Sequence, residues 1–239
     1  TTGAVTASIS GNKTTLAGLN TASGDAITAT VTDAVTVAEF NTLDGKTSVG
    51  VILSGGVSDA AAAYASTTGT ATSGRTAIAA QDGDAALTVT DAATVAQANS
   101  VATATTGTVQ FSGGITDSTT NLMNGDSSAI STGLSTAKTD DSDVVITANT
   151  AVTVAQFNLL DAATSSAIVL SGGISDTAAN LAPSGTASSG LTNSTTQDAD
   201  VAITITGTPP TVDELNKVAS LTTGAVTASI SGNKTTLAG

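Results

Sequence analysis

The sequence predicts an α/β solenoid, with parallel β-strands stacked on one side, short helices on the other, and about 28 residues per coil. Three observations predict it. Thr1–Gly18 and Thr222–Gly239 are the same residues, TTGAVTASISGNKTTLAG, set 221 positions apart. A looser motif returns inside that interval: VTVAEFNTLDGKTSVGVILSGGVSD from Val35, TVAQANSVATATTGTVQFSGGITD from Thr94 and VTVAQFNLLDAATSSAIVLSGGISD from Val152, with a diverged form, TVDELNKVASLTTGAVTASISG, from Thr211. Each copy alternates a strand-like run with a helix-like one. An all-β parallel β-helix is the competing architecture, because Thr and Val favour strands.

The inner period is regular. Asn41, Asn99, Asn158 and Asn216 recur at steps of 58, 59 and 58, and the Ser-Gly pairs at Ser10, Ser54, Ser112, Ser171 and Ser231 at steps of 44, 58, 59 and 60. Four inner units, approximately 1–35, 36–93, 94–152 and 153–221, make one outer unit, and 222–239 opens the next. The chain is therefore expected to be a single repeat array, one 221-residue unit plus an overlap from a longer polypeptide.

Each inner unit starts with a strand that alternates at period two, as in Leu87-Thr88-Val89 or Val201-Ala202-Ile203-Thr204-Ile205. A short helix follows. Thr36, Thr94, Thr153 and Thr211 stand at its N-cap. Apolar residues then recur at i, i+3 and i+6: Val37, Phe40, Leu43; Val95, Ala98, Val101; Val154, Phe157, Leu160; Val212, Leu215, Val218. That spacing makes one apolar face. A second strand places Val51 and Leu53, Val109 and Phe111, and Ile168 and Leu170 inward and ends in Ser-Gly-Gly. Ser58, Thr116 and Ser175 are then expected to cap another short helix, with Asp59, Asp117 and Asp176 in its first turn, where the helix dipole favours a carboxylate. Gly/Ser/Thr-rich stretches at 65–81, 123–140 and 182–197 read as loops and as the places for partner contacts.

Composition excludes several function classes. The chain has no His and no Cys, which removes imidazole bases, cysteine nucleophiles, disulfides and the usual zinc sites. Six basic residues against nineteen acidic ones give a net charge of −13, which opposes binding to a phosphate backbone. Aromatic residues are 2%, too few for stacking platforms. No apolar run is long enough to span a membrane. Nearly a third of the residues are Thr or Ser, and the apolar ones are mostly Ala and Val. No enzyme active site and no required cofactor are expected.

Three recurrent polar patterns remain. Asp82-Gly-Asp84, Asp141-Ser-Asp143 and Asp198-Ala-Asp200 each precede a strand, with Asp140 beside the second pair and Asp25 with Ser23 in the corresponding place of the first unit. Ca²⁺ takes six to eight oxygen ligands, so these carboxylates are the candidate metal ligands; a plain turn signal is the alternative, since Asp favours turns. Asn41, Asn99, Asn158 and Asn216 are expected to form a structural ladder of amides bonded to neighbouring backbone. The Thr28/Thr30, Thr88/Thr90 and Thr204/Thr206 pairs suggest an ice- or polysaccharide-binding face, but the array breaks at Ile52/Ser54, Gln110/Ser112 and Val169/Ser171.

The segments DAATVAQANSV, VAQFNLLDAAT and GGISDTAANLA resemble repeats of very large secreted cell-surface proteins of bacteria, among them cyanobacterial giant surface proteins tied to non-flagellar swimming. The resemblance covers the chain outside the three loops and carries no functional residues with it. It implies an extracellular structural role: a rod, filament or sheath, S-layer-like, at the cell surface. The partners expected are copies of the chain itself, stacked end to end or in tandem and touching laterally through the loops. The alternative is a Ca²⁺-dependent adhesin or a carbohydrate- or ice-binding module.

Overall fold

The computed structural model describes residues 4–21 and 24–231. Thr1–Gly3 and Gly232–Gly239 of the duplicated segments, and Ser23 beside Asp25, lie outside the described residues. The strands form four three-stranded sheets, all parallel where the pairing is given. The first holds β1 (Thr6–Gly11), β2 (Ala26–Val31) and β3 (Val51–Ile52), and the second β4 (Val57–Asp59), β5 (Leu87–Val89) and β6 (Val109–Phe111). The third holds β7 (Ile115–Asp117), β8 (Ile146–Ala148) and β9 (Ile168–Val169), and the fourth β10 (Ile174–Thr177), β11 (Ile203–Thr206) and β12 (Val226–Ala228). Parallel neighbours need crossover connections, and the helices supply them.

This mixed α/β arrangement corrects the expected solenoid, and the all-β alternative with it. The expected unbroken stack of strands is divided into four small sheets, and the physical reason lies in the Ser-Gly-Gly turns. Gly56, Gly114 and Gly173 take φ of +75°, +76° and +76°, a left-handed conformation that reorients the chain after β3, β6 and β9. The glycine before each has no room for a side chain: a Cβ on Gly55, Gly113 or Gly172 would lie 2.1–2.2 Å from backbone of Asp33, Asp91 or Thr150. Beyond the turn only single bridges, Val35↔Val57, Ala93↔Ile115 and Val152↔Ile174, continue the pairing.

Most helices fall into three kinds. The eight-residue α2 (Val37–Asp44), α5 (Val95–Ala102), α8 (Val154–Asp161) and α11 (Val212–Ala219) start at the expected Thr caps. Each has a capping box: the Thr hydroxyl accepts from the N3 backbone, and Glu39, Gln97, Gln156 or Glu214 reaches back to the cap N–H. Their apolar faces are buried, except on α11, where Val212 and Leu215 are half-buried.

The second kind is one turn long: α3 (Ala61–Tyr64), α6 (Thr119–Leu122) and α9 (Ala178–Leu181). Their caps are Ala60, Ser118 and Thr177, two residues past the expected Ser58, Thr116 and Ser175. Asp59 and Asp117 therefore end strands, and Asp176 is the last residue but one of β10, so none of the three lies in a helix's first turn. The carboxylates of Asp59 and Asp176 accept the first N–H of the preceding long helix, Val37 on Asp59 and Val154 on Asp176, both at 3.0 Å. The favourable charge–dipole contact exists, but with a helix 22 residues upstream.

The third kind corrects the loop assignment. Half of each Gly/Ser/Thr-rich stretch is helical: α4 (Ser73–Gln81), α7 (Thr132–Asp140) and α10 (Ser189–Gln197). A five-residue α1 (Lys13–Ala17) precedes them all, capped by Asn12. Close helix approach explains the small residues. A Cβ on Gly74 of α4 would lie 2.3 Å from Val37 Cγ1 of α2, and one on Gly190 of α10 equally close to Val154 Cγ1 of α8.

The chain divides into two compact units, one of Thr1–Ile115 with Thr136–Asp141, the other of Thr116–Ser135 with Ser142–Gly239. The first packs Phe40, Tyr64, Ile78, Leu87 and Phe111; the second packs Phe157, Leu160, Ile168, Ile174 and Leu181. The inward residues predicted for β3, β6 and β9 are all buried, while the intervening Ile52 and Val169 face solvent.

Gly74→Ala is expected to destabilise the chain by about 1–3 kcal/mol through overpacking against Val37. Gly45→Ala, at a right-handed position with its nearest neighbour at 3.5 Å, is expected to be neutral or stabilising. Urea unfolding midpoints of the two variants check the contrast.

Candidate functional site

The paired aspartates were the leading chemical candidates, and the first member of each pair has a defined use. Asp82 follows the last residue of α4 and accepts the Leu53 N–H at 2.5 Å. Asp198 follows α10 and accepts the Leu170 N–H at 2.8 Å. Asp141 follows α7 and accepts the Phe111 N–H at 2.6 Å. All three donors lie at the C-terminal end of a strand, just before Ser-Gly-Gly. Each carboxylate thus satisfies a backbone donor that no neighbouring strand reaches, an obligatory task for a buried N–H. The sequence signal was an Asp about 29 residues after an apolar-Ser-Gly-Gly turn.

The second members differ. Asp84, Asp143 and Asp200 are exposed, as is Asp140 at the end of α7. Partial burial pushes the Asp82 carboxyl above the usual carboxylate range; the Leu53 N–H pulls it down and the neighbouring Asp84 carboxylate pushes it up again. Asp198 behaves alike, raised by burial, opposed by the Leu170 N–H and raised further by Asp200. Asp198 and Asp200 border a cleft of about 340 Å³ beside Val169, Ser171 and Ala202. Among the described residues, no three acidic side chains come together in a geometry that could hold a metal ion.

Among the described residues, the expected amide ladder is not seen. Asn41, Asn158 and Asn216 are exposed and Asn99 is half-buried, all on helices. Asn41 lies beside Gly74, and Asn158 beside Gly190, whose missing side chains leave room for the amides. The polar ladder belongs to threonines six residues further on. The Thr47 hydroxyl donates to the Ile27 carbonyl at 2.5 Å and accepts the Val49 N–H at 3.1 Å. Thr105 does the same with Ala85 and Gly107, Thr164 with Val144 and Ser166, and Thr222 with Val201 and Gly224. Each hydroxyl ties the turn after a long helix to the strand region of the preceding crossover. These threonines repeat at the same steps as the asparagines, so the signal was present, but nothing in it separated ladder from solvent.

One further buried polar group bridges strands. The Tyr64 hydroxyl lies within hydrogen-bond distance of the carbonyls of Val57, at 3.0 Å, and Thr88, at 3.1 Å, and its single proton serves one of them at a time. Burial raises its pKa above the usual phenol value. On the outward faces, Thr28, Thr30 and Thr88 are half-buried, and Thr90, Thr204 and Thr206 exposed.

Compared with protein-family models, with curated proteins and with solved structures, the chain matches none. No helix among the described residues is long and apolar enough to cross a membrane.

Two variants separate charge from hydrogen bonding at Asp82. Asp82→Ala strands the buried Leu53 N–H and is expected to cost about 1–3 kcal/mol. Asp82→Asn keeps an acceptor and is expected to melt at or above the wild-type temperature at pH 7. A raised folded pKa means that the charged form is penalised above that pKa and relieved below it. Acidification from pH 7 through the raised pKa should therefore narrow the difference between wild type and Asp82→Asn. Thermal melting across pH 4–7 reads both effects.

The threonine ladder has its own test. Thr105→Val removes the acceptor of Gly107 and the donor to Ala85, with an expected loss of about 1–3 kcal/mol, which Thr105→Ser should largely recover. Thr88→Val, on the outward face, should stay within about 0.5 kcal/mol of wild type. Urea titration of the three variants provides the comparison.

Proposed function

We propose that the chain is a structural repeat segment of a large extracellular protein that forms a rod, filament or sheath at the cell surface. One observation carries this reading. The repeated residues Ala4–Ser10 and Ala225–Ser231 supply the first strand of the first sheet and the last strand of the fourth. A 221-residue period is thus written into hydrogen-bonded edges, and those edges suit continuation by the next repeat. The composition supports the same reading. Short polar elements held by hydroxyls and carboxylates need no cofactor, and a net charge of −13 keeps neighbouring rods apart in solution. The likeness of DAATVAQANSV and its relatives to giant bacterial surface repeats points the same way. The role is mechanical, with partners that are further copies of the chain.

Immunogold electron microscopy of source cells, with antibodies raised against this chain, tests the proposal. Label is expected along fibres or layers outside the cell envelope. Label confined to the cell interior would overturn it.

A further inference from the structure

Two of the Gly/Ser/Thr-rich stretches carry the same small turn, built from different residues. In the first, the Ser66 N–H donates to the Thr70 carbonyl at 2.8 Å, and the Ser66 hydroxyl accepts the Thr70 N–H at 3.1 Å. In the second, the Asn124 N–H donates to the Ala129 carbonyl at 2.9 Å, and Asn124 Oδ1 accepts the Ala129 N–H at 3.1 Å. Single bridges, Ala65↔Ala71 and Met123↔Ile130, close both tips. A serine thus does the same backbone work as Asn124, and the turn itself does not call for an amide.

The amide is the reactive choice. Of the asparagines in the chain, only Asn124 is followed by glycine. The backbone nitrogen of the following residue is held close to an asparagine amide carbon, and a side chain on that residue hinders its approach. Gly125 is exposed, its N–H meets no acceptor among the described residues, and a Cβ built on it would meet nothing within 4 Å. The Ala129 N–H already sits on Asn124 Oδ1, the atom on which negative charge develops during such an attack. Asn124 Nδ2, the nitrogen that would leave, donates to Ser128 Oγ at 3.2 Å, and that hydroxyl donates to Asp126 Oδ1 at 2.7 Å.

The two Asp-Gly pairs lack this freedom. The Gly45 N–H is taken by the Asn41 carbonyl at 3.1 Å, and the Asp82 carboxylate is taken by the Leu53 N–H.

We propose that Asn124 is a site of spontaneous covalent modification, in which the Gly125 nitrogen cyclises onto the Asn124 amide carbon and the product opens the tip at 124–129. The Gly125 N–H gives its proton to solvent base, the N–Cγ bond forms, the Cγ–Nδ2 bond breaks, and ammonia leaves with a proton from water. Water then adds to either carbonyl of the five-membered imide, leaving an aspartate or an isoaspartate at position 124. Isoaspartate routes the main chain through the side-chain carbons and lengthens it by one methylene. The Ser127 N–H then loses the Asn124 carbonyl that it meets at 2.9 Å. Ser127 holds a left-handed φ of +57°, a conformation that lasts only while the contacts around it do. The aspartate product sets a second carboxylate beside Asp126 and has no donor for Ser128.

The test ages the full chain in mildly alkaline buffer. Digestion after Arg75 and Lys138 releases 76–138, which also holds Asn99 and Asn121 as internal comparisons. Electron-transfer fragmentation is expected to place the mass gain of one amide turned to acid at position 124, as both aspartate and isoaspartate, with Asn99 and Asn121 unchanged. Gly125→Ala and Asn124→Ser should each lose that gain over the same interval. Both should fold as wild type by circular dichroism, because a Cβ at Gly125 has room and Ser66 already builds this turn; if one misfolds, the other decides. A native chain that keeps its mass overturns the proposal, as does a gain that comes first at another asparagine or survives undiminished in Gly125→Ala. Limited proteolysis reads the opening. Aged wild-type chain should be cut within 123–131 faster than fresh chain and faster than aged Asn124→Ser chain, and equal rates would overturn the opened tip.

Discussion

Backbone groups at the ends of very short elements must find partners, and the rest of this structure depends on that requirement. Strands run two to six residues and α-helices four to nine. At that length, ends outnumber interiors, and most donors and acceptors have no partner within their own element. Isolated helices this short do not hold, because nucleation costs more than one or two turns return. Side chains close the account of donors and acceptors instead: four capping boxes on α2, α5, α8 and α11, carboxylates of Asp59, Asp82, Asp141, Asp176 and Asp198 on backbone N–H groups, and the Thr47, Thr105, Thr164 and Thr222 hydroxyls across adjacent crossovers.

That requirement accounts for the composition. Thr, Ser and Asp are the small side chains whose oxygens reach nearby backbone, and they are abundant here for that reason. Large apolar residues are needed only where a helix face meets a sheet, which is where the three Phe and the single Tyr sit. The acidic pairs take part in the same economy of hydrogen bonds. Asp82 and Asp198 accept a charge penalty from burial because the N–H groups of Leu53 and Leu170 have no strand to meet.

Edges follow from the same shortness. The strand-by-strand ladder breaks at every Ser-Gly-Gly, so among the described residues the strands form four three-stranded sheets, each with two edge strands. Edge strands are ordinarily a liability, because they pair with whatever strand arrives. Among the described residues, the first and last strands come from two copies of one segment, Ala4–Ser10 and Ala225–Ser231.

Local relations were legible in the residues alone. The Thr caps and their Glu or Gln partners lie three positions apart, and the Val-Phe-Leu faces repeat at helical spacing, so both followed from short-range geometry. The alternation around Val51, Val109 and Ile168 likewise identified the buried side of each strand. Three features did not follow, each because the deciding partner is distant. Asp59 and Asp176 serve helices 22 residues upstream, so their position before a local helix misassigned them. The helices α4, α7 and α10 are polar and contain glycine, and close packing against α2 and α8 makes that glycine a requirement for α4 and α10. Asparagine and threonine recurred with equal regularity, yet the packing of the turns set the threonine hydroxyls, buried or half-buried, on backbone of the preceding crossover, while the asparagines stand on exposed or half-buried helix positions. The division into four sheets was decided last, by the left-handed conformation that only glycine adopts at low cost, and that conformation is a property of the folded backbone rather than of any spacing in the chain.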